Sequence, residues 1–94
     1  MNVELNTFYQ HVDGGLYLTK SISSSTVDQS LWVIYDHVWP FEMKQWHRPI
    51  EEWTPERFTK IGYAEATEIA LGDKEQAQKL IGERKAARRA AQGK

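Results

Sequence analysis

The sequence predicts an α+β fold: a small curled antiparallel sheet, SH3-like or a partly open barrel, carrying one or two C-terminal helices. Three observations predict it. All 4 Trp, all 3 Phe, all 3 His and all 3 Pro lie in residues 1–62, whereas residues 63–94 are Ala, Lys, Arg, Glu and Gln with a single tyrosine. The first part also breaks into short runs of branched and aromatic residues separated by turn signals, the pattern of strands, while the second has the composition of helix. Finally, 94 residues allow one domain, and a chain this long buries only about 60 to 65% of its unfolded surface, so residues 1–62 are expected to be a β-rich body and 63–94 its helical extension.

Strands are expected near residues 7–12, 15–22, 31–37, 44–48 and 58–61. Asp13-Gly14-Gly15 is a strong turn signal between the first two, because glycine accepts positive φ without a Cβ clash. Leu16 to Ile22 then alternates apolar and polar side chains, as a half-buried strand does. Ser23-Ser24-Ser25-Thr26 reads as loop, since small hydroxyl residues compete for backbone hydrogen bonds. Leu31-Trp32-Val33-Ile34-Tyr35 is the most β-prone run and the expected central strand. Pro40 lacks an N–H for a ladder, so Val38 to Phe41 should leave the sheet or run along its edge. Lys44 to Arg48 returns as a strand that Pro49 stops. Thr54-Pro55-Glu56-Arg57 suits a single helical turn.

After Gly62, Tyr63 to Ala70 reads as a short helix and Gly72 as a break. Asp73 caps a second helix, with Gln76 three residues on, as in a capping box. That helix should run from about Lys74 to about Ala91. Its apolar face is thin after Ile81, so its tip is expected to fray or to wait for a partner.

The formal net charge is -1, split as -3 over residues 1–62 and +2 over residues 63–94. Cys is 0, which excludes a disulfide framework and thiolate zinc sites. The first residues carry a glutamate and no apolar run, so nothing reads as a signal peptide, and no stretch is long enough for a membrane span. A cytoplasmic protein without metal or cofactor is the expectation. The three histidines show no ligand spacing, although His11 beside Asp13 and His37 beside Asp36 are each placed to form an oriented base. No GxSxG elbow and no Gly-rich phosphate loop occurs, and Glu51 and Glu52 point apart in extended structure. A non-enzymatic binder is therefore expected.

The densest chemical cluster is Trp39, Trp46-His47-Arg48-Pro49 and Trp53. In a strand over 44–48, Trp46 and Arg48 share one face and His47 points to the other. An indole beside a guanidinium can hold a flat anionic ligand, the ring by stacking and the phosphate by a charge-assisted fork. Tyr9, His11, Tyr17 and Tyr35 form a second set able to orient a polar ligand around the sheet. Beside this stands the core reading. Tryptophan in a small domain is commonly interior, Trp32 and Trp46 included, tyrosine commonly covers a core edge, and Arg48 has Glu51 and Glu52 within pairing reach. Arg84, Lys85, Arg88 and Arg89 make a basic helical stripe for an acidic protein patch. Nucleic acid is a weaker fit because the body is acidic, and a membrane surface weaker still because the helix's apolar face is mostly alanine.

Tyr9, His11, Gly14 and Tyr17, then Tyr35, then Trp46, Arg48 and Pro49 together resemble the bacterial and phage domain-of-unknown-function family numbered 1653, whose pattern opens Tyr-x-His-x-Lys-Gly-x-x-Tyr and closes Trp-x-Arg-Pro. The resemblance covers roughly residues 8–61. Asp13 stands where that family has lysine, Trp53 where it has phenylalanine, and the serine run where its members carry histidine and glutamate. The resemblance implies a small β-rich module with an attached helix, and its phage setting implies an accessory, counter-defence role. Together these readings anticipate a homo-oligomer that binds or sequesters a nucleotide-like anion, with a host-protein docking module and a nucleic-acid binder as the alternatives.

Overall fold

The computed structural model describes residues 3–92. Strands β1 (Phe8–His11), β2 (Leu16–Ser24), β3 (Leu31–Trp39), β4 (Lys44–Pro49) and β5 (Phe58–Ile61) are followed by helices α1 (Tyr63–Ala70) and α2 (Lys74–Gln92). The sheet order is β4-β3-β2-β1-β5, antiparallel at every pairing. Gly14, at φ 114°, makes the first turn as its lack of a Cβ allows. Because β4 and β5 are the two edges and do not pair with each other, the sheet is curled without closing into a barrel.

Three boundaries differ from the sequence expectation, each for a local reason. Ser23 and Ser24 belong to β2, because Trp32 and Leu31 of β3 give their backbones a ladder to join; the reversal begins only at Ser25. Val38 and Trp39 stay in β3, where Trp39 pairs with Leu16, and the strand ends at the proline itself. Ile50–Glu52 forms a 3-10 turn that the residues did not announce, so Glu51 and Glu52 are not extended. Thr54 to Arg57 is a single turn, closed by the Thr54 carbonyl accepting from the amides of Arg57 and Phe58.

Strand order explains the core. To join opposite edges, the chain between β4 and β5 must cross the sheet, and it lays Trp53 on the inner face among Tyr9, Val33, Tyr35 and Phe58. Trp53 is 2% exposed. Its ring stacks on Phe58 at 3.8 Å, meets Tyr9 edge-on at 5.4 Å and tilts against Tyr35 at 5.0 Å. The Arg48 guanidinium on one edge strand lies 5.5 Å from the Phe58 ring on the other, which measures the curl.

On the outer face, α1 brings Ala66 and Ile69 onto Leu16, Ile61, Phe8, Val38 and Trp39. The start of α2 is capped as its sequence indicates, the Asp73 carboxylate accepting from the Gln76 amide at 3.0 Å. The helix continues to Gln92 across the β1–β2 turn. It buries Ile81 and donates from Gln78 to the Pro40 carbonyl at 2.7 Å and from Arg84 to the Asp13 carbonyl at 3.1 Å. Arg88 Nη1 donates to both Asp13 carboxylate oxygens at 2.8 Å. No helix among the described residues is long and apolar enough to cross a membrane.

Candidate functional site: the mouth of the inner face

Side-chain alternation puts Tyr9 and His11 of β1, Tyr17 and Thr19 of β2, Val33, Tyr35 and His37 of β3, and Lys44, Trp46 and Arg48 of β4 on the inner face, in the observed register. Trp53 closes one end of that face. The other end opens as a hollow of about 510 Å³ lined by Tyr17, Tyr35, His37, Phe41, Glu42, Lys44, Trp46, Arg48 and Lys85. A volume of this size lies in the usual range for small-molecule sites, roughly 300 to 1,000 Å³.

The eight residues named as ligand-binding from sequence divide in two. Tyr17, Tyr35, Trp46 and Arg48 meet at the hollow. Tyr9, His11, Trp39 and Trp53 do not line it. Tyr9 and Trp53 are core, with the Tyr9 hydroxyl accepting from the Glu4 amide at 3.1 Å. Trp39 packs on the outer face under α1. Trp46, for which the core was the commoner expectation, is 48% exposed because β4 is an edge. Trp32 is half-buried on the outer face, its indole N–H donating to Ser30 Oγ at 2.9 Å.

Arg48 is partly committed. Its Nη1 donates to Glu52 at 3.0 Å and its Nε is buried without a partner, so the guanidinium is held in place over Phe58 with its remaining nitrogen unclaimed by Glu52. The Lys44 ammonium sits 4.6 Å from the centre of the Trp46 ring, a cation–π contact. With Lys85 reaching in from α2, the hollow gathers three cations against one carboxylate, Glu42.

Neither histidine–aspartate pair is an oriented base. His11 Nδ1 accepts from the Asp13 amide at 3.1 Å, which requires that nitrogen to be unprotonated. Burial holds its pKa down to about 4, against the opposing pull of the Asp13 carboxylate 3.5 Å away. Asp36 lies on the opposite face from His37, whose Nε2 accepts from the Phe41 amide at 3.1 Å. Burial, and then Lys85, lowers the His37 pKa. Both imidazoles are thus neutral supports of turns. Burial raises the Tyr17 hydroxyl to about 12, keeping it a donor at any physiological pH. Among the described residues no three His, Asp or Glu side chains converge as metal ligands would.

The basic stripe of α2 is largely engaged. Arg84 and Arg88 turn to Asp13 and Lys85 to the hollow, leaving Arg89 exposed. Lys44 was missed as a site residue and His37 was read only beside Asp36, although alternation from Trp46 and Tyr35 puts both on the inner face. Phe41 and Glu42 follow Pro40 in a loop that carries no periodic signal. Comparison with protein-family models, curated proteins and solved structures finds no match to this chain.

Proposed function

We propose that the protein is a non-enzymatic binding module whose open inner face takes a flat, anionic small molecule of nucleotide type. The observation that supports this most is the hollow itself, which joins two tyrosines, a tryptophan, an arginine and two lysines from four separate elements. Three cations set against Glu42 and against the Glu52 that pairs with Arg48 leave the mouth net positive and favour an anionic ligand. The exposed Trp46 ring supplies a stacking surface. On binding, Lys44 leaves that ring for a phosphate and a base takes its place, while Arg48, already fixed by Glu52, donates without a large ordering cost. Tyr17 and Tyr35 supply hydroxyls that orient the ligand's polar edge. Sequestration of such a molecule suits the counter-defence role that the family resemblance implies.

Calorimetry with a panel of cyclic and linear nucleotides tests the reading. We expect at least one Kd below about 100 µM, corresponding to about 5.5 kcal/mol. We further expect a loss of about tenfold or more in each of Trp46→Ala, Arg48→Gln and Lys85→Gln. A panel in which nothing binds at that level, with the protein folded, removes the proposal.

A further inference from the structure

α1 covers the outer face over β1, β5, the start of β2 and the end of β3 at Val38 and Trp39, leaving the first part of β3 and its neighbour β4 open. A second hollow of about 390 Å³ lies there, lined by Ser23, Ser25, Trp32, Ile34, Gln45 and His47 with the edge of Trp46. Its chemistry is the reverse of the inner hollow: no aspartate, glutamate, lysine or arginine lines it.

The register fixes how these groups are laid out. Trp32 and Ile34 of the middle strand β3 form an apolar floor. On one side Ser23 of β2 lies opposite Trp32, and on the other His47 of β4 lies opposite Ile34, with Gln45 opposite Asp36. The two polar rims therefore face each other diagonally: across the strands they stand two spacings apart, about 9.5 Å, and along β3 Ser23 is offset from His47 by two residues, about 7 Å, a span for a saccharide of one or two rings. Serine hydroxyls, a primary amide and an imidazole each donate and accept, as sugar hydroxyls do.

The floor is also fixed before any ligand arrives. Trp32 Nε1 donates to Ser30 Oγ at 2.9 Å, Ser30 Oγ donates in turn to Asp28 Oδ1 at 2.7 Å, and the His47 ring meets the indole edge-on at 5.0 Å. The indole has thus satisfied its one polar atom internally and offers the hollow apolar surface alone. Gln45 Nε2 reaches Asp36 at 3.4 Å, which orients its amide.

We propose that this outer hollow is a binding site for a neutral mono- or disaccharide, with the C–H face of a ring on Trp32 and Ile34 and its hydroxyls bonded to Ser23 at one corner and to His47 and Gln45 along the opposite rim. The site shares only Trp46 with the anion site, on the opposite face of the sheet, and stands whether or not that reading survives.

The test is an NMR titration of the ¹⁵N-labelled protein with neutral mono- and disaccharides of glucose, galactose, mannose and N-acetylglucosamine, with uncharged nucleosides as a second arm. We expect at least one saccharide to shift the Trp32 indole resonance with a Kd of about 1 mM or tighter, about 4.1 kcal/mol. Gln45→Ala and His47→Ala, both at exposed positions that leave the fold intact, should each weaken it about fivefold or more, whereas Lys85→Gln should leave it unchanged. No saccharide binding, saccharide binding indifferent to both variants, or tighter binding of a nucleoside would each overturn the proposal.

Discussion

Trp53 and Trp46 lie seven residues apart and serve the same aromatic face, yet one is sealed and the other stands half in solvent. Their surroundings account for the difference. Trp53 rides on the segment that crosses the sheet between its two edges, so it is pressed onto Tyr9, Tyr35 and Phe58; Trp46 belongs to an edge strand that nothing crosses. One end of the inner face is therefore a core that holds the curl, and the other is a mouth with cations around it. Side-chain type decides neither fate: the path of the main chain does.

The contrast is broken most severely at the sealed end. Trp53→Ala removes a fully enclosed indole and leaves a cavity beneath the crossing, so urea denaturation should show a loss of about 3 to 5 kcal/mol, enough to unfold a marginal domain. Acid should attack the same end next. His11 lies against Phe58 at 4.8 Å and titrates at about 4 in the native state, below the ordinary 6.5. The unfolded chain therefore takes up a proton that the folded chain refuses, and stability is full above pH 6.5 and falls as pH drops toward 4, by up to roughly 3 kcal/mol. Urea midpoints measured between pH 7 and pH 5 should show that slope, and His11→Gln should flatten it.

At the junction of body and helix, Asp13→Asn breaks the two-oxygen contact with Arg88. The carboxylate is 5% exposed and the guanidinium partly so. The expected cost lies between a surface pair and a buried one, about 1 to 3 kcal/mol, and should fall most heavily on the hydrogen-exchange protection of α2. The smallest effect belongs to the mouth. Trp46→Ala should change stability by less than about 1 kcal/mol, while abolishing most of the anion affinity, and a loss as large as that of Trp53→Ala would erase the distinction between the two ends.

Much of the fold was legible because local signals agreed. Gly14 at a turn, branched residues at Leu31 to Tyr35, and Asp73 before Gln76 each announce an element that the structure contains. Alternation along β4 correctly put Trp46 and Arg48 on one face and His47 on the other. The sorting of the aromatic rings was not legible, since Tyr9, Tyr17 and Tyr35 share one face and only the crossing of Trp53 decides which end is sealed. The docking of α2 was equally hidden: Arg88 finds Asp13 across 75 positions, and no periodicity reports a partner so distant. Asp13, which stands where the resembled family has lysine, is the acceptor that seats the helix and so brings Lys85 to the hollow.

That clasp between the first hairpin and the last turns of the chain has a consequence for biosynthesis. Its acceptor leaves the ribosome 75 residues before its donor, and after β5 has emerged a further 27 residues separate Ile61 from Arg88. At about 5 to 20 residues per second this leaves the nascent sheet without its helical strut for roughly 1 to 5 seconds. During that interval the rim lacks Lys85, and a ligand met co-translationally encounters a wider and less positive opening than the finished protein presents.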